Sequence, residues 1–142
     1  MKLRDVMTPR PQTLAPTATI QEAARVMRDT DTGVVPIVEG GRPVGLITDR
    51  DIVVRAVAEG GEALSRPVRD LASTDLVTAS PELSTKDAVR LMGEHQVRRL
   101  LVCEGDVLVG VASIGDIAVK EGKDKRVGDT LENISQGVKD EE

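Results

Sequence analysis

A single repeat constrains this chain more than any other feature. Set against itself at an offset of 65 residues, the sequence matches without a gap from Leu3–Val53 to Val68–Ala118. Arg4-Asp5 falls on Arg69-Asp70, Thr13 on Thr78, and Pro16 on Pro81. Ala23, Arg25 and Met27 fall on Ala88, Arg90 and Met92, Glu39-Gly40 on Glu104-Gly105, and Gly45 on Gly110. Differing positions mostly keep their type, as with Thr48 and Ser113. Two copies are too few for a solenoid, so they are expected to close on each other as a pair.

Each copy reads as one series of elements. Three prolines, Pro9, Pro11 and Pro16, predict an extended stretch over residues 3–18 with little regular pairing. Thr19, with Glu22 three residues on, predicts a helix start, and Ile20, Ala23, Ala24 and Met27 give it one apolar face. Ser84, Asp87, Thr85, Ala88, Val89 and Met92 repeat the pattern. Val34–Val38, the turn Glu39-Gly40-Gly41 and Val44–Ile47 predict a hairpin, repeated as Leu100–Cys103, Glu104-Gly105-Asp106 and Val107–Ala112. A second helix follows each hairpin. The first is expected to run to about Glu59, where Gly60-Gly61 stops it.

The predicted organisation is therefore repeat 1 over residues 1–59, a linker over 60–67, repeat 2 over 68–119, and a polar tail over 120–142. Within the tail, 127–134 is expected to add a short helical turn and 137–142 to be disordered.

The chemistry of the chain gathers where each hairpin meets its second helix. Gly45-Leu46-Ile47-Thr48-Asp49-Arg50-Asp51-Ile52 recurs as Gly110-Val111-Ala112-Ser113-Ile114-Gly115-Asp116-Ile117. In both, a hydroxyl residue precedes an acid by three positions, a helix-start signature. A helix N-terminus also offers free N–H groups and a positive dipole end to a phosphate. For one copy alone a bare helix cap is the commoner explanation, and it is the duplication that favours a site. Arg98-Arg99, just before the second hairpin, is either a solvated patch or an anion site.

Composition excludes several function classes. There is no Phe, Tyr or Trp, so the core must be aliphatic and no base can stack on an aromatic ring. Nineteen Lys plus Arg against 24 Asp plus Glu give a net charge of −5, the wrong sign for general nucleic-acid binding. One cysteine, Cys103, cannot form an internal disulfide, and with no signal-peptide pattern the expectation is a cytoplasmic protein. No apolar run reaches the roughly 20 residues of a membrane span. The lone His95 is expected at a helix end, and with one histidine and one cysteine a metal site is not expected. No nucleophile–base pair and no P-loop is present, so an enzyme is not expected.

The two glycine-to-isoleucine stretches, Thr19-Ile20-Gln21-Glu22-Ala23, and the pre-hairpin stretches Thr32–Val38 and Val97–Val102 resemble a pair of CBS domains, the cystathionine-β-synthase-type regulatory repeat. The resemblance covers residues 3–118. It implies an α+β fold of two tandem β-α-β-β-α repeats packed with pseudo-twofold symmetry, often assembled as flat homodimers. It also implies that an adenine nucleotide or adenosyl compound (AMP, ADP, ATP or S-adenosylmethionine) binds in clefts between repeats as a regulatory ligand, with no cofactor required. By the same resemblance Asp51 and Asp116 take ribose hydroxyls, and Thr48 and Ser113 support ribose or phosphate. Thr32, Gly33 and the backbone near Thr8-Pro9 would face Asp116, and Val97, Arg98 and the backbone near Ser73-Thr74 would face Asp51. Arg99 is a phosphate partner whose equivalent, Val34, is not, so the two sites should be unequal.

The sequence therefore reads as a stand-alone regulatory module reporting to an effector protein, or else as a ligand-independent dimerisation adaptor. The second helix of repeat 1, apolar on more than one side over Ile52–Ala58, favours a homodimer through the helices. The polar tail has little to bury, so a chain ending at Ser135 should melt within about 2 °C of the full chain by calorimetry. A larger drop would mean that the tail docks.

Overall fold

The computed structural model describes residues 1–122. In chain order the elements are α1 (Leu3–Val6), β1 (Thr8–Pro9), α2 (Ile20–Thr30), β2 (Val34–Glu39), β3 (Arg42–Thr48), α3 (Asp49–Arg55), β4 (Thr78–Ala79), α4 (Thr85–His95), β5 (Arg99–Glu104), β6 (Val107–Ser113) and α5 (Ile114–Glu121). Three short 3-10 turns, Val57–Glu59, Glu62–Ser65 and Val68–Asp70, lie between α3 and β4. The fold is α+β, and its two halves repeat the same series. Among the described residues no helix is long and apolar enough to cross a membrane. The predicted turn over 127–134 and the disorder over 137–142 lie outside the described residues.

Two departures from the sequence reading have local causes. Leu3–Val6 forms a turn of helix rather than extended chain, because the prolines begin only at Pro9 and Asp5 reaches back to the Lys2 N–H (2.9 Å). The helix after the first hairpin does not run on to Glu59. It breaks at Ala56 (φ −118°, ψ −59°), tightens into the 3-10 turn Val57–Glu59, and ends at Gly60, whose φ of +108° suits glycine.

The chain divides into two compact units, and these are not the two sequence repeats. Among the described residues, one unit holds Met1–Arg10, Val77–Gly105 and residues 109–122, and the other holds Pro11–Leu76 with Asp106–Leu108. The first ten residues thus pack on elements of the second repeat. Leu3 and Val6 share a core with Ala88, Val89, Met92, Leu100, Val102, Ala112, Ile114 and Ile117. Their counterparts Val68 and Leu71 share the other core with Ile20, Ala23, Met27, Val35, Ile37, Ile47, Ile52 and Ala56. Ala63, in the stretch read as linker, belongs to that second core too. Leu3 and Val68 are wholly buried. Burying such a side chain stabilises by about 1.5–3 kcal/mol, so these head segments are integral to their cores.

Sheet pairing in the two units is the same, residue for residue. In one, Thr8 pairs with Val111 antiparallel and Ala79 with Val102 parallel, giving the strand order β1-β6-β5-β4. In the other, Ser73 bridges Leu46 antiparallel and Leu14 bridges Ile37 parallel, on either side of the β2–β3 hairpin. Ion pairs hold the first head segment: Glu82 accepts from Lys2 (2.8 Å) and Arg4 (2.7 Å), and Arg4 also reaches Glu104 (3.2 Å). The Lys2 and Arg4 donors hold the Glu82 carboxyl below its ordinary range.

Each head segment crosses its hairpin at a glycine. A Cβ on Gly110 would lie 2.5 Å from Met7 Sδ and 3.1 Å from the Thr8 carbonyl oxygen. One on Gly45 would lie 3.1 Å from Ala72 Cβ and 3.4 Å from the Ser73 carbonyl oxygen. Gly110→Ala and Gly45→Ala are therefore expected to destabilise by about 1–3 kcal/mol in urea unfolding, by overpacking. Gly115→Ala, whose Cβ would meet nothing closer than Ser113 Oγ at 3.7 Å, should be neutral or stabilise by up to about 1 kcal/mol. Parent-like stability of Gly45→Ala and Gly110→Ala would contradict the crossing.

Candidate functional site

Both candidate sites are the ends of hairpins. β3 delivers Thr48 and β6 delivers Ser113 in extended conformation (φ −113° and −106°), and the helix begins at the next residue. The Thr48 hydroxyl accepts from the Asp51 N–H (3.1 Å), and the Ser113 hydroxyl from the Asp116 N–H (3.0 Å). Both hydroxyls are therefore engaged as caps, as residues of this type at a helix N-cap should be. Thr48, Asp51, Ser113 and Asp116 are all half-buried.

The two ends differ in their carboxylates. Asp51 closes the box, its Oδ2 accepting from the Thr48 N–H at 3.0 Å. Among the described residues nothing donates to the Asp116 carboxylate. It stands at the N-terminus of an eight-residue helix, its acceptor capacity unspent among the described residues, and the dipole end favours its charge.

The pre-hairpin residues sit beside their own hairpin's end. The Gly33 carbonyl accepts from the Asp49 N–H (2.9 Å), and the Arg98 carbonyl accepts from the Ile114 N–H (2.8 Å). Asp49 folds its carboxylate over Gly33, where a Cβ would meet Oδ2 at 2.9 Å, and also accepts from the Arg50 N–H (2.8 Å). Thr32 turns its hydroxyl onto the Val34 backbone, donating to the carbonyl (3.2 Å) and accepting from the N–H (3.3 Å). Val97 is half-buried against the core that holds Leu3. Arg98 and Arg99 are exposed, and among the described residues neither guanidinium has an ion-pair partner.

The backbone segments named from sequence also find these ends. Thr8 lies beside Val111, two residues before Ser113, and Ser73 lies beside Leu46, two residues before Thr48. One residue escaped the sequence reading. Arg55, at the end of α3, donates to the Leu71 carbonyl (2.8 Å), and the signal for it was the lysine, Lys120, at the equivalent place.

The CBS domain family model matches this chain twice, over residues 3–57 and 68–120. The chain belongs to the CBS domain family. It is 41% identical over 133 residues to the CBS domain-containing protein YhcV of Bacillus subtilis, covering 94% of each chain. It is 34% identical over 116 residues to Hypoxic response protein 1 of Mycobacterium tuberculosis, covering 81% of each. A crystal structure of Hypoxic Response Protein I with two coordinated zinc ions superposes with a TM-score of 0.74 at 32% identity, over 84% of this chain and 98% of that one. CBSX2, solved in complex with AMP, shares the fold at a TM-score of 0.73 and 22% identity, over 84% of this chain and 95% of that one. Among the described residues of this CBS pair, no group of three or more His, Cys, Asp and Glu side chains is placed to hold a metal ion. His95 is exposed at the end of α4, and Cys103 is buried in β5.

The unequal carboxylates predict unequal costs without any ligand. Asp51→Ala strands the Thr48 N–H and should destabilise by about 1 kcal/mol in urea unfolding, whereas Asp116→Ala should cost about half of that or less. Equal losses would mean that the two caps are energetically alike.

Proposed function

We propose that this CBS pair is a regulatory module that binds an adenine nucleotide or related adenosyl compound at its hairpin ends and passes the occupancy to an effector protein. The observation that carries the reading is the Asp116 carboxylate at the start of α5, which no described residue engages, in the same unit as Arg98 and Arg99, which have no ion-pair partner among the described residues. A carboxylate accepts from two neighbouring ribose hydroxyls at once, and a guanidinium takes a phosphate in a bidentate pair. The AMP complex of CBSX2, which shares the fold, supports the ligand class. With no aromatic residue in the chain, the adenine would be held by aliphatic walls and backbone groups.

The end holding Ser113, Asp116 and Arg99 is the stronger of the two in this reading. At the other, Asp51 already serves its own cap, and Val34 stands where Arg99 stands. Thr48 and Asp51 form the weaker end, and Thr32, Gly33, Val97 and Arg98 are assigned to ligand contact by family analogy. A thermal-shift panel of AMP, ADP, ATP, S-adenosylmethionine and NADH comes first. Ligand at about 100 times its dissociation constant should stabilise by roughly 2.7 kcal/mol, a melting shift of about 5–10 °C. By titration calorimetry Asp116→Ala or Arg99→Ala should weaken binding about ten- to hundredfold, and Asp51→Ala less. Loss of binding in Asp51→Ala with Arg99→Ala unaffected would reverse the assignment, and silence across the panel would favour an adaptor.

A dimer through the helices fits either outcome. Ile52 and Ala56 turn one side of α3 inward, while Val53, Val54 and Val57 remain 52–59% exposed, and Val119 on α5 is 83% exposed. Exposed valines on these helices suit a second copy of the chain. Light scattering at micromolar concentration should give about twice the 15.2 kDa chain mass, and a clean monomer would remove this part of the reading.

A further inference from the structure

The post-hairpin helices α3 and α5 are anchored differently, and the difference places a function on Arg55. At the end of α5 the Glu121 carboxylate accepts from the hydroxyl of Thr85, a side chain buried at the start of α4. The equivalent pair in the first repeat is Ala56 and Ile20, both apolar and wholly buried. α3 is held instead by the residue before Ala56: Arg55 Nη1 donates to the Leu71 carbonyl at 2.8 Å. Lys120 occupies that place on α5, and among the described residues no side chain bonds the Val6 carbonyl, the counterpart of Leu71.

Leu71 opens a backbone strap that leads from the second core to Leu76, where the chain leaves that unit for Val77. Two residues along it, Ser73 exchanges both backbone hydrogen bonds with Leu46 (2.9 Å each). Leu46 leads to Thr48, Thr48 caps α3 through Asp51, and α3 ends in Arg55. Arg55 thus closes a ring of hydrogen bonds from strap to strand to cap to helix and back to strap.

We infer that Arg55 is a positioning residue which makes the strap and α3 move as one body. The exposed valines Val53, Val54 and Val57 then follow any displacement of the strap or of the Thr48–Asp51 cap. An arginine suits the place: its fork reaches a carbonyl while its stem covers apolar surface, and a charged donor is stronger than a neutral one. The inference rests on the proposed reading only for what the valine face meets, and its test needs neither ligand nor second chain.

The test is amide hydrogen exchange on the full chain, with Leu46, Ser73 and Ala56 as reporters and Leu101, which donates to Val77 in the other unit, as control. In Arg55→Met the three reporters should exchange together, about ten- to hundredfold faster, with Leu101 unchanged. Arg55→Lys, keeping the stem and a charged donor, should recover part of the protection. Gly45→Ala, which presses on Ala72 of the strap, should speed Ala56 exchange in the Arg55 protein and add little in Arg55→Met. Faster exchange at Ala56 alone, an equal rise at all four amides, or additive effects of Gly45→Ala and Arg55→Met would overturn the inference. Failure of the calorimetry would remove the ligand and leave this result standing.

Discussion

The structure depends on a close approach of backbone to backbone, made twice. A head segment lies across the second strand of a hairpin, Thr8 on Val111 in one unit and Ser73 on Leu46 in the other. Each crossing requires a glycine on the strand beside it, and each carries two apolar side chains into the core beneath, Leu3 with Val6 or Val68 with Leu71. A two-stranded hairpin by itself is marginally stable at best in water. The head segment completes the sheet and the core, and the same pairing aligns a backbone strand next to the residues that end in Thr48 or Ser113. Fold and candidate site are thus set by one contact.

Duplication followed by divergence explains why the two units share a plan but not a chemistry. Where Gly33 lies under the Asp49 carboxylate, the second copy has Arg98 and a buried Ile114, so the small residue and the acid changed together. Where Ile20 and Ala56 fill a core, Thr85 and Glu121 form a hydrogen bond. Asp51 is committed to its own cap, while Asp116 is not. The surviving asymmetry concentrates at hairpin ends and helix ends, the places where a ligand or a partner would act.

Much of this was legible in the residues. Period and capping chemistry marked α2, α4 and both hairpins, because Thr19-x-x-Glu22 and the glycine turns are local signals with local causes. The hydroxyl–acid spacing marked both candidate ends. What the sequence withheld was non-local. Nothing in residues 1–10 says that they pack on elements that begin only at Val77, since apolar spacing in a four-residue helix fits either core. The difference between Asp51 and Asp116 was equally hidden, because both stand three residues after a hydroxyl and only geometry decides whether the carboxylate turns back. Arg55 was overlooked for a similar reason: an arginine in a helix's last turn is ordinarily read as a partner for the dipole.

Each half of the sequence supplies part of the other half's core. This is tested most directly by dividing the chain at Gly60-Gly61, in the turn between α3 and the second head segment, and preparing the two pieces separately. Fragment 1–60 lacks Val68 and Leu71, and fragment 61–142 lacks Leu3 and Val6. Each piece alone should show no cooperative thermal transition by circular dichroism, and an equimolar mixture should regain one and sediment as a 1:1 complex. Two pieces that fold cooperatively on their own and do not associate would contradict the claim.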